Sequence, residues 1–293
     1  MSERARAIVE PCWRELRLAG EPEVWLAQCG LPLAEALARR VVRGGDVRVV
    51  GVAGAQGTGK SSACRLLVPL LEQVHGLDVL VLGLDDFYLT RAAREQLGRE
   101  VHPLLVTRGV PGTHELPLLA GCLQGLRARG SVDLPRFSKA LDDRLSETTR
   151  VSGRYDLVLL EGWCVGARAQ SDEELAPPCN ALEAYEDVNG RFRGYVNAQL
   201  AGGYRLLFEG LDALVFFAAP DMESVLGFRR EQEESLRRAA AVCGMSDVEL
   251  ARFVAHFERI TVDMLRRAPG YADVLVRLDG ARRVTSFVDR VLR

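Results

Sequence analysis

Lysine is nearly missing from this chain. Only two of its 38 basic residues are lysines, Lys60 and Lys139, and the others are arginines. Where arginine serves everywhere else, a retained lysine marks a place that needs a compact ammonium rather than a planar fork. Cysteine is present but unpatterned. The seven cysteines at positions 12, 29, 64, 122, 164, 179 and 243 contain no C-x-x-C pair, and their number is odd. That argues against a disulfide framework or a zinc site and predicts a reducing cytoplasm as the protein's home. No apolar run approaches the roughly 20 residues that a membrane span needs, and the opening MSERARAIVE lacks the apolar core of a secretion signal. With a net charge of −2, there is no global attraction to nucleic acid or to an anionic membrane. Internal repeats and low-complexity tracts are absent too.

What the chain does have is one concentrated signal. The stretch VRVVGVAGAQGTGKS, Val47 to Ser61, opens with an apolar β-branched run and turns through Gly54, Gly57 and Gly59. Gly54-x4-Gly59-Lys60-Ser61 is a P-loop pattern. Glycines let backbone N–H groups curl around phosphate oxygens. Lys60 would reach the outer phosphates, the Ser61 hydroxyl would sit on Mg2+, and the helix that follows would point its positive end at the same phosphates. The nucleotide-binding set is therefore Gly54, Ala55, Gln56, Gly57, Thr58, Gly59, Lys60, Ser61 and Ser62. The spacing is not the G-x-G-x-x-G of a dinucleotide fingerprint.

Two further apolar runs end in carboxylates. Asp78–Leu84 reads as a buried strand and delivers Asp85, Asp86 and Tyr88. An Asp at the C-terminal end of such a strand borders the ligand crevice, where it can accept a substrate hydroxyl proton; it can also simply cap the next helix, in competition with Thr90. Asp85 is assigned as the base and Asp86 as its support. Asp156–Gly162 has the form of a Walker B strand, with Glu161 placed to hold Mg2+ or its water shell.

Between these strands lie polar loops. Residues 101–115 carry Arg108, Thr113 and His114 among prolines and glycines. Arg108 is suited to an anionic substrate group and His114 to orienting one, although each, taken alone, is more often a satisfied structural residue. The run Leu134-Pro135-Arg136-Phe137-Ser138-Lys139 is followed by Asp142-Asp143-Arg144. This cluster is either an anion site or a solvated loop, and the rarity of lysine favours the site, with Arg136 and Lys139 as its contacts. A helix over 224–241 carries Arg229, Arg230, Arg237 and Arg238. Either these form a lid over transferred phosphate, with Arg229 first, or they pair with Glu231, Glu233 and Glu234 by helical spacing.

Helices are expected over 5–18 and 33–42, the second ended by Gly44-Gly45. They form an N-terminal helical extension, residues 1–45, on a main domain spanning 46–293. Further strands are expected at 214–219 and 273–278, and a short amphipathic segment at the end. Strands alternating with helices predict an α/β fold, a mostly parallel sheet covered by helices on both faces.

The segments GVAGAQGTGKSS, LDDFYLT, RGVPGTHE, LPRFSKALDDR and LLEGWCVGA occur in that order. Together they resemble the P-loop kinases of the plant and fungal D-glycerate 3-kinase type and their bacterial relatives. More distantly they resemble uridine kinase, phosphoribulokinase and bacterial pantothenate kinase. The resemblance covers roughly residues 45–280. It implies ATP as phosphoryl donor, Mg2+ as cofactor and a small hydroxyl-bearing acceptor, with D-glycerate first and pantothenate-like or nucleoside-like acceptors as alternatives. It places the base at Asp85 and the metal-side carboxylate at Glu161. It lines the acceptor pocket with the segments around Arg108, Thr113, His114, Arg136 and Lys139. One departure stands out: Ser138 occupies the place of the Asp in the family's P-R-[FY]-D-K element. A regulatory ATP-binding protein without kinase activity is the reading from a different class.

Overall fold

The protein is described by a computed structural model covering residues 2–42, 45–240 and 245–290. Ten strands are present among these residues: β1 (Arg48–Gly54), β2 (Val79–Gly83), β3 (Val132–Leu134), β4 (Phe137–Ser138), β5 (Asp143–Arg144), β6 (Thr149–Val151), β7 (Leu157–Gly162), β8 (Ala213–Ala218), β9 (Val274–Leu278) and β10 (Val284–Asp289). Six of them make the main sheet in the order β10-β9-β8-β1-β7-β2. Every neighbouring pair is parallel except β9 and β10.

The central strands are buried along nearly their whole length, as VVGVAG, LVLLEG and ALVFFA require. Alternate side chains serve two layers. Val49, Ala53, Val158, Leu160 and Phe216 face a core shared with Leu105, Leu119, Phe257 and Ile260. Val50, Val52, Leu157, Leu159 and Val215 face the Lys60–His75 helix through Leu66, Leu67 and Leu70. The N-terminal helices belong to this second layer, where Val9, Leu33 and Leu37 are fully buried. Burial on both faces is the reason a parallel sheet reads as continuous apolar runs.

Strand order creates a crevice. From β1 the chain crosses to β2 on one side of the sheet, whereas β8 lies on the other side. The C-terminal end of β1 is thus the point at which strand order reverses, where ligands bind in open α/β sheets.

Two elements differ from expectation. The amphipathic end of the chain is β10, an antiparallel edge strand. It is returned by a turn in which Arg282 takes a left-handed φ of 61° and the Asp279 carboxylate accepts from the Ala281 and Arg283 N–H groups. The segment 132–151 is a ribbon, β3 paired with β6 and β4 with β5. Gly44 and Cys243, and the side chains of Arg237 and Arg238, lie outside the described residues.

Candidate active site

The loop after β1 is shaped by two left-handed glycines, Gly57 (φ 78°) and Gly59 (φ 85°). A Cβ on Gly57 would come within 2.6 Å of Phe228 Cβ, so backbone and helix meet there without room for a side chain. Ala55 O accepts both the N–H and the hydroxyl of Thr58, at 3.3 and 2.8 Å, closing the loop on itself. Gln56 is half-buried at its crest, and Ser62, the third residue of the helix, is half-buried too. Gly59 stands at the N-cap of Lys60–His75 with no side-chain cap. The first N–H groups of that helix therefore remain available for an anion.

The β1–β7 register sets Glu161 beside Val52, one strand over from the P-loop. From there Glu161 Oε2 accepts from the Ser61 hydroxyl at 2.6 Å. On β2, Gly83 lies next to Glu161. A methyl group at Gly83 would sit 3.3 Å from Asp86 Oδ2 and 3.9 Å from Glu161 Oε1, so the two carboxylates border one gap. A hydroxyl with a carboxylate is an oxygen donor set of the kind Mg2+ accepts, and this ion takes its remaining ligands from phosphates and water. Among the described residues no three His, Cys, Asp or Glu side chains gather into a cage of their own.

Asp85 stands on the short turn Leu84–Phe87 that leaves β2. Its Oδ1 accepts from the Tyr88 hydroxyl and its Oδ2 from the Lys139 ammonium, both at 2.7 Å. Burial raises the pKa of Asp85, but Lys139 and Tyr88 together outweigh it and hold the carboxyl at about 2. The side chain is 36% exposed, so water screens part of that attraction. Asp86 behaves oppositely. Burial raises it and the nearby Asp85 adds to the rise, against the Phe137 N–H that it accepts at 3.2 Å.

Tyr88 is packed between His114, stacked at 4.7 Å, and Phe137, edge-on at 5.1 Å. His114 is buried, and burial lowers its pKa to about 4, so it is neutral at pH 7. The Tyr204 hydroxyl accepts from Gly112 N at 3.0 Å and faces His114 Nδ1 at 2.6 Å. The direction of that hydrogen bond follows the His114 tautomer, and Nε2 has no partner among the described residues.

The ribbon carrying Lys139 is clasped from below. Arg94, 1% exposed, donates to Leu89 O, Val106 O and Asp142 O, and pairs with the Asp142 carboxylate. Arg108 pairs with the same carboxylate, and its guanidinium lies 5.5 Å from the Phe137 ring centre. Ser138 Oγ accepts from Leu141 N at 3.2 Å and so belongs to the turn that presents Lys139.

The structure thus gathers Lys60, Ser61, Asp85, Asp86, Tyr88, Glu161 and Lys139 around the crevice, with His114 stacked behind Tyr88. Thr113 is taken up within its own loop, donating to Val110 O and accepting from Gly109 N. Arg136 is exposed and reaches Thr149 Oγ1 at 3.3 Å. Arg229 pairs with Glu233 one turn along its own helix, as the ion-pairing alternative had it. Arg94, Asp142 and Tyr204 were not singled out as site residues. Asp142 stood in a quoted motif, but Arg94 and Tyr204 carried no sequence signal.

No protein-family model matches the chain. Among curated proteins it is 31% identical to the uncharacterized kinase mug58 of Schizosaccharomyces pombe, over 71% of this chain and 78% of that one. It is 27% identical to the probable ATP-dependent kinase TDA10 of Saccharomyces cerevisiae, over 70% and 73%. Among solved structures it matches D-glycerate 3-kinase from Cryptococcus neoformans with a TM-score of 0.75 and 25% identity, over 92% of this chain and all of that one. A P-loop on the central strand, a carboxylate at the end of its neighbour and these likenesses agree. The chain belongs to the ATP-dependent P-loop kinases of the uridine kinase, phosphoribulokinase and pantothenate kinase superfamily.

Proposed function

We propose that this kinase transfers the γ-phosphoryl group of ATP to a hydroxyl of a small anionic acceptor, with D-glycerate the first choice. The observation that carries this reading is Asp85 held between Tyr88 and Lys139 at the mouth of the crevice. There a proton acceptor and a cation for the substrate's own charge stand side by side. The likeness to a D-glycerate 3-kinase over nearly the whole chain favours glycerate among anionic acceptors.

Lys60 and the open N–H groups after Gly59 cradle the phosphates. Ser61 and Glu161 are the side chains to hold Mg2+, which when bound neutralises charge on the transferred group. Asp85 accepts the proton of the attacking hydroxyl. Lys139 and Arg136 face the acceptor's carboxylate, with Arg108 setting the ribbon through Asp142. Asp86, Tyr88 and neutral His114 shape the wall behind it. Thr113 serves the loop, and Arg229 reaches phosphate only by leaving Glu233. Residues 1–45 form a cover to the kinase domain at 46–293. The six described cysteines are free and no described helix is long and apolar enough to cross a membrane; the location proposed from the sequence is a reducing cytoplasm.

The test is ADP release from Mg-ATP with and without D-glycerate, with the product detected by mass. Glycerate-dependent ADP together with phosphoglycerate supports the reading. ADP formation with pantothenate or a nucleoside, and none with glycerate, moves the acceptor. ATP binding with no turnover on any acceptor favours the regulatory alternative.

A further inference from the structure

We propose that Lys139 is a charge-coupled latch on Asp85. It holds the carboxylate until the acceptor's negative charge draws the ammonium away, so anionic acceptors are selected at the catalytic step as well as at binding. This rests on the reading of Asp85 as the base.

Both Asp85 oxygens are occupied, Oδ1 by the Tyr88 hydroxyl and Oδ2 by Lys139. Each oxygen keeps a free lone pair, but a hydroxyl that approaches Oδ2 meets the ammonium beside it. A carboxylate already accepting two hydrogen bonds, one of them from a cation, is a poor proton acceptor until that cation leaves. Tyr88 is the fixed one: it is 4% exposed and wedged between His114 and Phe137. Lys139 is the movable one, 66% exposed at the tip of the β4–β5 turn on a flexible stem. The root of that turn stays put. Phe137 N donates to Asp86, Arg91 N donates to Asp143, and Arg94 and Arg108 grip Asp142. Only the lysine side chain has to swing.

The charge balance gives the swing its direction. Lys139 and Lys60 face Asp85 as cations, Asp86 as a carboxylate, and Tyr88, His114 and Cys164 as neutral groups. With Lys139 docked, Asp85 is held at about 2 and is a weak base. An acceptor carboxylate offers the ammonium a partner of equal charge within reach. A neutral acceptor offers none, and binding it leaves the latch closed. The retained lysine fits this exchange. A single ammonium trades one carboxylate for another, whereas arginine's fork tends to grip a carboxylate with two parallel bonds.

Because the chain has only two lysines, protein labelled with 13C at lysine Cε gives two signals, and Lys139→Met assigns them. Asp85→Asn should shift the Lys139 signal without ligand. D-glycerate with Mg-ADP should shift it too, and methyl D-glycerate should not. In turnover, Lys139→Met should lower kcat/KM for D-glycerate about 10–100-fold and raise it for the methyl ester about 2–5-fold, the release of a partly exposed pair. A Lys139 signal indifferent to Asp85→Asn overturns the latch, as does an equal loss with both acceptors. If Asp85→Asn still turns over D-glycerate, the base assignment itself fails. If that variant is inactive and Lys139→Met loses both acceptors equally, the latch alone fails.

Discussion

The Ser61 hydroxyl donates to Glu161 Oε2 at 2.6 Å, joining the first turn of the P-loop helix to the end of the neighbouring strand. Two oxygens this close, one anionic, form half of a site for a hard cation that arrives with phosphates. Glu161→Gln keeps the shape and removes the charge. It is expected to raise the Mg2+ concentration for half-maximal rate about 10–100-fold, by analogy with lost ligand partners, with ATP-independent stability little changed. Rate against Mg2+ at fixed ATP measures this, and an unaltered Mg2+ curve would remove Glu161 from the metal site.

Asp85→Asn tests the base. The amide preserves the contact with Tyr88 and cannot take a proton. Loss of general base catalysis costs on the order of 10²–10⁴-fold in kcat. The KM for ATP should stay within about twofold, since both hydrogen bonds of Asp85 go to Tyr88 and Lys139 and only its charge reaches Lys60 in the P-loop. Single-turnover rates together with nucleotide titration separate the two effects.

His114 makes stability depend on pH. Its folded pKa is lowered by burial to about 4, while an unfolded histidine titrates near 6.5. Between those values the unfolded state binds the extra proton, so stability is full above about 6.5 and falls as pH drops toward 4. The size is ~3 kcal/mol by the same linkage. His256, also lowered by burial, acts in the same direction. His114→Asn should flatten part of the fall. Urea midpoints at pH 7 and pH 5 for both proteins check it, and an equal fall in both would mean that His114 binds protons alike in the folded and unfolded states.

Much of this architecture was legible in the chain. Expected strands at 156–162 and 273–278 are found at Leu157–Gly162 and Val274–Leu278. Strands buried on both faces carry their signal in composition. β10 hid because VTSFVD sets its apolar residues at 284, 287 and 288, a helix-like spacing without alternation, and the strand is only half-buried with an irregular register near Val284. The 132–151 ribbon hid because its ladders are two or three residues long and its surface is charged. At the site, the placement of Lys60, Ser61, Asp85, Glu161 and Lys139 near one another follows signals that the chain shows, namely the P-loop spacing, two apolar strands ending in carboxylates and the scarcity of lysine. Arg94 was not. Nothing in RAAREQLGRE announces a buried guanidinium that meets Asp142, 48 residues on. Arg229 was open between two roles, and the spacing to Glu233 that helical geometry favours is the one adopted.

The N-terminal helices are the last point that the sequence left open, and their packing leads to a firm expectation. Ala5, Val9, Leu26, Leu33 and Leu37 are each no more than 2% exposed, on the same layer as Val50, Val52 and Leu159. Arg39 and Arg40 reach Asp289 on β10 at 2.9 and 2.6 Å, tying this layer to the sheet's edge. At about 1.5–3 kcal/mol for each large apolar side chain buried, the four largest together rival the ~5–15 kcal/mol net stability of a whole domain. A 46–293 fragment should therefore fail to fold or should aggregate. The milder Leu33→Ala should cost about 2–5 kcal/mol while leaving kcat and both KM values at 25 °C within about twofold, since Leu33 faces the core and not the crevice. Thermal unfolding of the fragment and the point variant decides the matter. A fragment with a wild-type melting temperature would show that residues 1–45 are an appendage and not part of the core.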